Sequence, residues 1–394
     1  MPDVREINRL DELEAYRPAW NSLLAETAGA SFFQSLEWLE AYWRHFGANQ
    51  RLRVLIVTDG GQPVGIVPLV VRRERTNVGP LRFLTYPLHD WGSFYGPIGP
   101  DPCRTLATAL GHVRRTARDW DVLELRWLGA PDTDLAATEC AFGAVGLRAY
   151  RTIYDRTAVV DLCACESAAT CRVRETHQSG PMAVRCTHPT GWDAYFNARP
   201  RAWRRNYRAC QKKLAARGEV SLLRYRPRGS KEGDGDPRWD LYDACEELAR
   251  RSWQAAASNG TTLSHDSVRP FLREAHAAAA AAGAVDLNLL LQRGKPLAFA
   301  YNYHWRGYVY GLRVGFDAEA THDGAGTLLV GESIRDSFAR GDRLYDLGVG
   351  SLECKRHVGT GLLDLLRLSH FPPTPLRAQL LRARRWLEQR QLGH

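Results

Sequence analysis

Between Asp286 and Lys355 the sequence collects side chains able to take up, hold and release protons. Asp346 closes the strand-like run Arg343-Leu344-Tyr345-Asp346; Gly348 and Gly350 follow, then Glu353 and Lys355. His304 and Tyr310 stand on the two β-rich runs just upstream. Asp346, Glu353 and His304 are the candidate bases, and Lys355 and Tyr310 the candidate acids or oxyanion donors. Each also has a purely structural reading: His304 can cap a hairpin, and Asp346 with Lys355 can form an ion pair. No Ser-His-Asp order, His-Glu-x-x-His pair or Walker A run occurs, so hydrolase, metalloprotease and NTPase chemistries find no support.

A second chemical feature precedes Asp346. Thr321-His322-Asp323-Gly324-Ala325-Gly326 joins a β-rich run to the helical run beginning at Thr327. A glycine-rich loop entering a helix N-terminus suits a phosphate, because backbone N–H groups point outward and the helix dipole favours an anion. Thr321, Gly324, Ala325, Gly326 and Thr327 are the candidate cofactor contacts, against the alternative of a tight turn. Two further segments carry substrate-binding candidates. Arg201–Arg217 has a helical stripe of Trp203, Tyr207, Cys210 and Leu214, and seven basic residues with no acidic one on the rest. Such a one-sided face, with Arg204, Arg205 and Arg208 at its centre, fits an anion: a nucleotide-linked sugar, CoA phosphates, an acidic polymer or tRNA. The alternative is a solvated face. The loop Leu81–Pro102 holds five aromatics with His89, Asp90 and Trp91, and is either a substrate-lining loop or a rigid one packed on itself.

These residues need strands and helices to hold them. VLIVTDGGQPVGIVPL and LNLLLQRGKPLAFAYN both read strand, Gly-x-Pro turn, strand. Each copy then leads through a helix to a strand, DVLELRWL or RLYDLG, which sets Glu124 opposite Asp346. The repeat implies a duplicated unit, and a chain of 394 residues is long enough for two cores.

The loop ending Gly324-Ala325-Gly326 fits the x-x-x-G-x-G pyrophosphate loop of GNAT acyltransferases, with Thr321 in place of the usual Gln or Arg. Asp346-Leu347-Gly348-Val349-Gly350-Ser351-Leu352-Glu353-Cys354-Lys355 resembles the D-F-x-x-G-x-x-x-Y-K run of the Fem-like branch, matching at Asp346, Gly350 and Lys355 and departing at Leu347, Val349 and Cys354. Phe33-Gln34-Ser35 before a Trp-bearing helix resembles that branch's N-terminal entry. The branch includes peptidoglycan aminoacyltransferases and bacterial acetyltransferases linked to cellulose, exopolysaccharide and natural-product pathways.

The resemblance implies an α/β (α+β) fold of two tandem GNAT-like domains, each a mixed, mostly antiparallel sheet flanked by helices. The expected divisions are an N-terminal domain over about residues 1–162, an insertion over 163–190, a C-terminal domain over 191–370, and a Pro-rich linker with a basic helix over 371–394. It implies N-acyl transfer, with acyl-CoA (acetyl-CoA) as cosubstrate and a primary amine of a small molecule, sugar or peptide as acceptor. The alternatives are aminoacyl transfer from aminoacyl-tRNA, or an inactive relative acting as a binding module. In this superfamily the amine attacks a thioester or ester carbonyl, and the protein mainly positions the reactants.

Composition narrows the rest. The net charge of +9 comes with only five lysines among 53 basic residues, an arginine and alanine excess that also fits a GC-rich genome, and DNA is not expected as a partner. The cysteine-rich stretch Cys163, Cys165, Cys171 and Cys186, with His177 and His188, lacks paired zinc spacing, so no metal is expected. No apolar run reaches spanning length and the N-terminus has no secretory pattern, which points to a cytoplasmic protein. The basic amphipathic run LRAQLLRARRWLEQR near residue 390 either packs on its own domain or touches a membrane surface.

Overall fold

A computed structural model describes residues 2–129, 135–163, 191–252, 262–318 and 323–392. In chain order the strands and α-helices are β1 (Asp3–Ile7), α1 (Arg17–Glu26), α2 (Leu36–Phe46), β2 (Gln50–Asp59), β3 (Gln62–Thr76), β4 (Gly79–Thr85), α3 (Pro102–Arg115), β5 (Val122–Leu128), α4 (Leu135–Ala144) and β6 (Tyr150–Asp161). They continue as α5 (Trp192–Ala198), α6 (Arg201–Ala215), β7 (Val220–Tyr225), α7 (Trp239–Arg251), α8 (Arg269–Ala281), β8 (Val285–Gln292), β9 (Lys295–Trp305), β10 (Tyr308–Phe316), α9 (Ala325–Arg340), β11 (Leu344–Asp346), α10 (Leu352–Lys355), β12 (Gly361–His370) and α11 (Leu376–Leu392). They form two compact units, Met1–Asp155 with Asp364–His394, and Arg156–Leu363.

The duplication read from the sequence is a duplication of pairing. In the first unit β1, β2, β3 and β4 pair antiparallel in succession, β4 pairs parallel with β5, and β5 antiparallel with β12. In the second unit β7, β8, β9 and β10 repeat the antiparallel series, β10 pairs parallel with β11, and β11 antiparallel with β6. The closing strand of each unit therefore comes from outside its own run of sequence. Sequence boundaries at 162 and 370 place β6 in the first domain and β12 in the second; instead residues from Arg156 count with the second unit and residues from Asp364 with the first. An apolar strand pattern says which face is buried but not which sheet edge receives it.

Local chemistry fixes the hairpins. The β2–β3, β8–β9 and β9–β10 connections are two-residue turns, Gly60-Gly61, Arg293-Gly294 and Arg306-Gly307, with both residues of each at positive φ. That geometry matches the twist of antiparallel strands and favours glycine at the second position. In β9 the face of Phe299, Tyr301 and Tyr303 and the face of Ala298, Ala300 and Asn302 are both buried. Tyr301 packs on Tyr242 of α7 and His276 of α8. Ala298 and Ala300 share a core with Tyr207 and Leu214 of α6 and Leu328, Leu329 and Ile334 of α9. The second sheet is thus covered on both sides, with the small residues where α6 and α9 pack. In the first unit the Ser35 hydroxyl accepts the Trp38 N–H at 3.1 Å and caps the start of α2.

Candidate functional site

The chemistry-bearing residues gather where β10 and β11 part. Their parallel ladder has three pairs, Tyr308 with Leu344, Val309 with Tyr345 and Tyr310 with Asp346. β10 continues to Phe316, with an irregularity against β9 between Gly311 and Arg313, while the other chain turns through Leu347–Gly350. The two backbones touch at the vertex. A Cβ on Gly311 would lie 2.5 Å from the Asp346 carbonyl oxygen, and one on Gly348, at φ 74°, would lie 2.4 Å from the Gly311 oxygen. Glycine is required at both.

Asp346 is 3 % exposed at this vertex. Its Oδ1 accepts the Gly348 N–H at 2.9 Å and the hydroxyl of Thr157, two residues from its β6 partner Val159. Burial pushes the carboxyl up to about 6, against the lowering effects of the Thr157 and Gly348 hydrogen bonds and the Lys355 charge. Lys355 returns through α10, and its Nζ donates to the carbonyls of Gly348 at 2.8 Å and Val349 at 2.7 Å. It thereby clamps the turn that holds Asp346. Tyr310, 3 % exposed, shares the register position of Asp346 and stacks on Tyr308. The pairing Asp346–Tyr310–Tyr303 puts these side chains on the sheet face carrying Tyr301, opposite the face that packs α9.

The other candidates lie elsewhere. Glu353 is exposed on α10. His304 sits 3.4 Å from Asp342 through its Nε2, within a buried ionic group. There Arg224 bonds both oxygens of Asp286 at 2.7 and 2.9 Å, Arg226 reaches Asp286 at 3.0 Å and Asp342 at 2.7 Å, and Asn302 links Asp286 to the Tyr345 hydroxyl. Burial opposes the charge on Asp286, but the Arg224 and Arg226 guanidiniums win and hold its carboxyl far below the usual range.

At the glycine-rich loop, Thr321 lies outside the described residues. Gly324 caps α9, and Ala325, Gly326 and Thr327 form the first turn, whose N–H groups have no acceptor within a helix. The glycines also have a packing task the sequence did not reveal. A Cβ on Gly324 would meet Cys210 Sγ at 2.1 Å, one on Gly326 the Phe316 ring at 2.9 Å, and one on Gly331 the Tyr207 ring at 2.3 Å. They let α6 and β10 close on α9. The basic end of α6 lies at this N-terminus: Lys213 bonds Asp323 at 2.8 Å and Arg217 bonds its other oxygen. On the same helix Arg205 is exposed, Arg208 covers Phe196 at 5.2 Å, and Arg204 donates to the Arg199 carbonyl at 3.1 Å.

In the first unit Trp91 is buried, Asp90 exposed, and His89 stacked on Phe46 at 4.3 Å. His89 and Asp90 line, with Arg72, Tyr86, Arg126 and Tyr154, a cavity of about 10 Å³, room for a single water. Of the cysteine-rich stretch only Cys163 is described, and among the described residues no cluster suits a metal ion. Sequence reasoning missed Thr157, which is 189 residues from Asp346 and carries no local signal. It also missed the Arg224–Asp286 group, whose trace was legible as polar residues two apart, Arg224 and Arg226 at the end of β7 and Asp286 and Asn288 in β8.

Residues 201–356 match the acetyltransferase (GNAT) domain family. The crystal structure of FemX superposes on the chain with a TM-score of 0.56 at 11 % identity, covering 95 % of this chain and 98 % of that one. A tandem GNAT protein from the clavulanic acid biosynthesis pathway covers 95 % of this chain and all of its own, at 14 % identity and a TM-score of 0.43. No curated protein matches the sequence. The second unit thus carries a GNAT acetyltransferase domain, in a chain with the FemX fold.

Proposed function

We propose that the protein is an N-acyltransferase that moves an acyl group, acetyl in the simplest case, from acyl-CoA to a primary amine, with the reaction at the β10–β11 fork. The observation that carries this reading is the buried Asp346 carboxyl at the vertex of that fork, raised to about 6. A carboxylate of that basicity is ionised at neutral pH yet strong enough to take a proton from an attacking ammonium. The amine nitrogen bonds to the thioester carbonyl carbon, Asp346 accepts the proton, the C–S bond breaks, and the CoA thiolate leaves with a proton. Tyr310 is placed beside Asp346 to donate toward the oxyanion or the sulfur. Lys355 acts as a positioning residue that fixes the Gly348–Gly350 turn.

The donor's phosphates fit the N-terminus of α9, where Ala325, Gly326 and Thr327 offer N–H groups. Arg205 and Arg208 on α6 supply positive charge, with Lys213 and, just past the helix, Arg217 beside Asp323. Donor and acceptor then approach from opposite faces of the sheet, because Asp346 and Tyr310 project away from α9. A cytoplasmic location accords with a CoA donor.

The test is transfer of label from acetyl-CoA to a panel of amines, run beside charged tRNA, with calorimetric titration of acetyl-CoA. Acetyl-CoA should bind and label at least one amine, and reversal of charge at Arg205 and Arg208 should weaken binding and flatten its salt dependence. Transfer from charged tRNA with no affinity for acetyl-CoA would replace this reading with aminoacyl transfer. Neither activity would leave a binding module.

A further inference from the structure

Helix α11 uses one face to hold itself on the first unit. Ala378 and Leu381 join a small core with Leu81, Phe83, Val122 and Phe371, Arg385 bonds the buried Glu124, and Arg382 reaches the Tyr150 hydroxyl. The opposite face is apolar and open. Leu376 is 74 % exposed, Leu380 50 % and Leu387 54 %, and their spacing of four and seven residues aligns them in one stripe, with Trp386, 50 % exposed, at its side. Arg377, Arg384 and Arg390 flank the stripe, and the Arg390 guanidinium lies 3.8 Å from the Trp386 ring centroid. The helix has five arginines and a single acidic residue, Glu388, which pairs with Arg384.

Four large apolar side chains on one helix face are costly in water unless something covers them. The flanking charges decide what. A second copy of this helix laid along the stripe would set arginine against arginine. An anionic bilayer surface satisfies both parts: leucines and tryptophan enter the acyl boundary while guanidiniums bond the headgroup phosphates. Tryptophan suits that boundary because its ring is apolar and its N–H polar. Among the described residues no helix is long and apolar enough to cross a membrane, so the contact is a surface one.

We propose that α11 docks the protein on an anionic lipid surface, through Leu376, Leu380, Trp386 and Leu387 with Arg377, Arg384 and Arg390. The claim is independent of the transferase chemistry and is tested without it. The full chain is sedimented with vesicles of phosphatidylcholine, alone or mixed with phosphatidylglycerol. It should pellet with the mixed vesicles, stay in solution with the neutral ones, and release as salt rises. Leu380→Ser with Leu387→Ser, both at exposed positions and checked for an unchanged circular dichroism spectrum, should abolish pelleting. Each of Arg377→Gln and Arg390→Gln should weaken it about five-fold. Equal pelleting of all variants overturns the proposal. So does light scattering that shows a dimer abolished by the leucine changes, with no vesicle binding by the parent chain.

Discussion

Asp346→Asn separates the chemistry of the fork from its stability, because the structure assigns opposite signs to the two effects. The Asp346 carboxyl rises from 3.8 to about 6 on folding. A raised acid stabilises the native state while protonated, so that stability is fully present below about pH 4 and is lost as pH rises through about 6. A shift of roughly two units corresponds to ~3 kcal/mol, the cost of keeping the buried carboxylate ionised at neutral pH. Asn keeps the acceptor for the Gly348 N–H and the Thr157 hydroxyl but never ionises, and its unmatched amide N–H groups cost ~1–3 kcal/mol at every pH. The stability difference between variant and parent should therefore move by ~3 kcal/mol in the variant's favour between pH 4 and pH 7. Hydrogen exchange of the β11 amides, corrected for the intrinsic pH dependence of exchange, reads this locally, which matters in a chain of two units. In turnover the parent's kcat/KM should climb through pH 6 and level off, and the variant should lose that limb along with most of its kcat. Parent protection that stays constant from pH 4 to 7, or a variant that retains the limb, would refute the assignment.

Two further outcomes follow from packing and charge. Gly326→Ala should cost ~1–3 kcal/mol of stability even without donor, read as a lower thermal midpoint, since its Cβ would press on the Phe316 ring; an unchanged midpoint with lost acetyl-CoA affinity would reduce this glycine to a phosphate contact. Asp286→Asn should cost ~3–5 kcal/mol by leaving Arg224 and Arg226 buried beside a neutral amide. Because Asp286 and Asp342 are held low in the folded state, their contribution is present above about pH 4 and lost as pH falls further, so the parent should lose stability there, followed by circular dichroism, more steeply than the variant, which keeps only the Asp342 share.

How much of this was legible depended on how local each signal is. The Gly60-Gly61 and Arg293-Gly294 turns and the stripe Tyr207, Cys210 and Leu214 rest on neighbours in sequence, and the structure reproduces them. The pairing of Asp346 with the Gly348–Lys355 turn was legible for the same reason. The ion pair expected of Asp346 and Lys355 takes another form, with Lys355 bonding the turn's carbonyls. What escaped was long-range. Thr157 reaches Asp346 because β6 closes the second sheet, and nothing in its sequence neighbourhood names that partner. The destination of β12 escaped likewise, since its alternating pattern would suit the edge of either sheet. The packing task of Gly324 and Gly331 depends on α6, a hundred residues away, lying against α9.

Under the proposed function, the duplication also accounts for the use of one carboxylate and not two. Glu124 holds a place in β5 close to the one Asp346 holds in β11: Glu124 directly follows the two residues paired in parallel with β4, Asp346 is the last of the three paired in parallel with β10, and each faces a closing antiparallel strand. Their surroundings differ. Glu124 is fully buried, which alone would raise it, but Arg126 at 2.6 Å, Arg385 and Arg367 overcome burial, and the carboxyl settles at about 2. The Ser369 hydroxyl adds a bond at 2.7 Å. A carboxylate that acidic is a poor proton acceptor at neutral pH, whereas Asp346, with burial unopposed by any guanidinium, is several units more basic. The arginines that silence Glu124 come from β5 itself, from β12 and from α11, so the returning C-terminal segment brings two of the three. Exchange of the closing strands thus gives two units of one design different electrostatics at equivalent positions: one carboxylate fixed as a structural anion, the other left poised to take a proton.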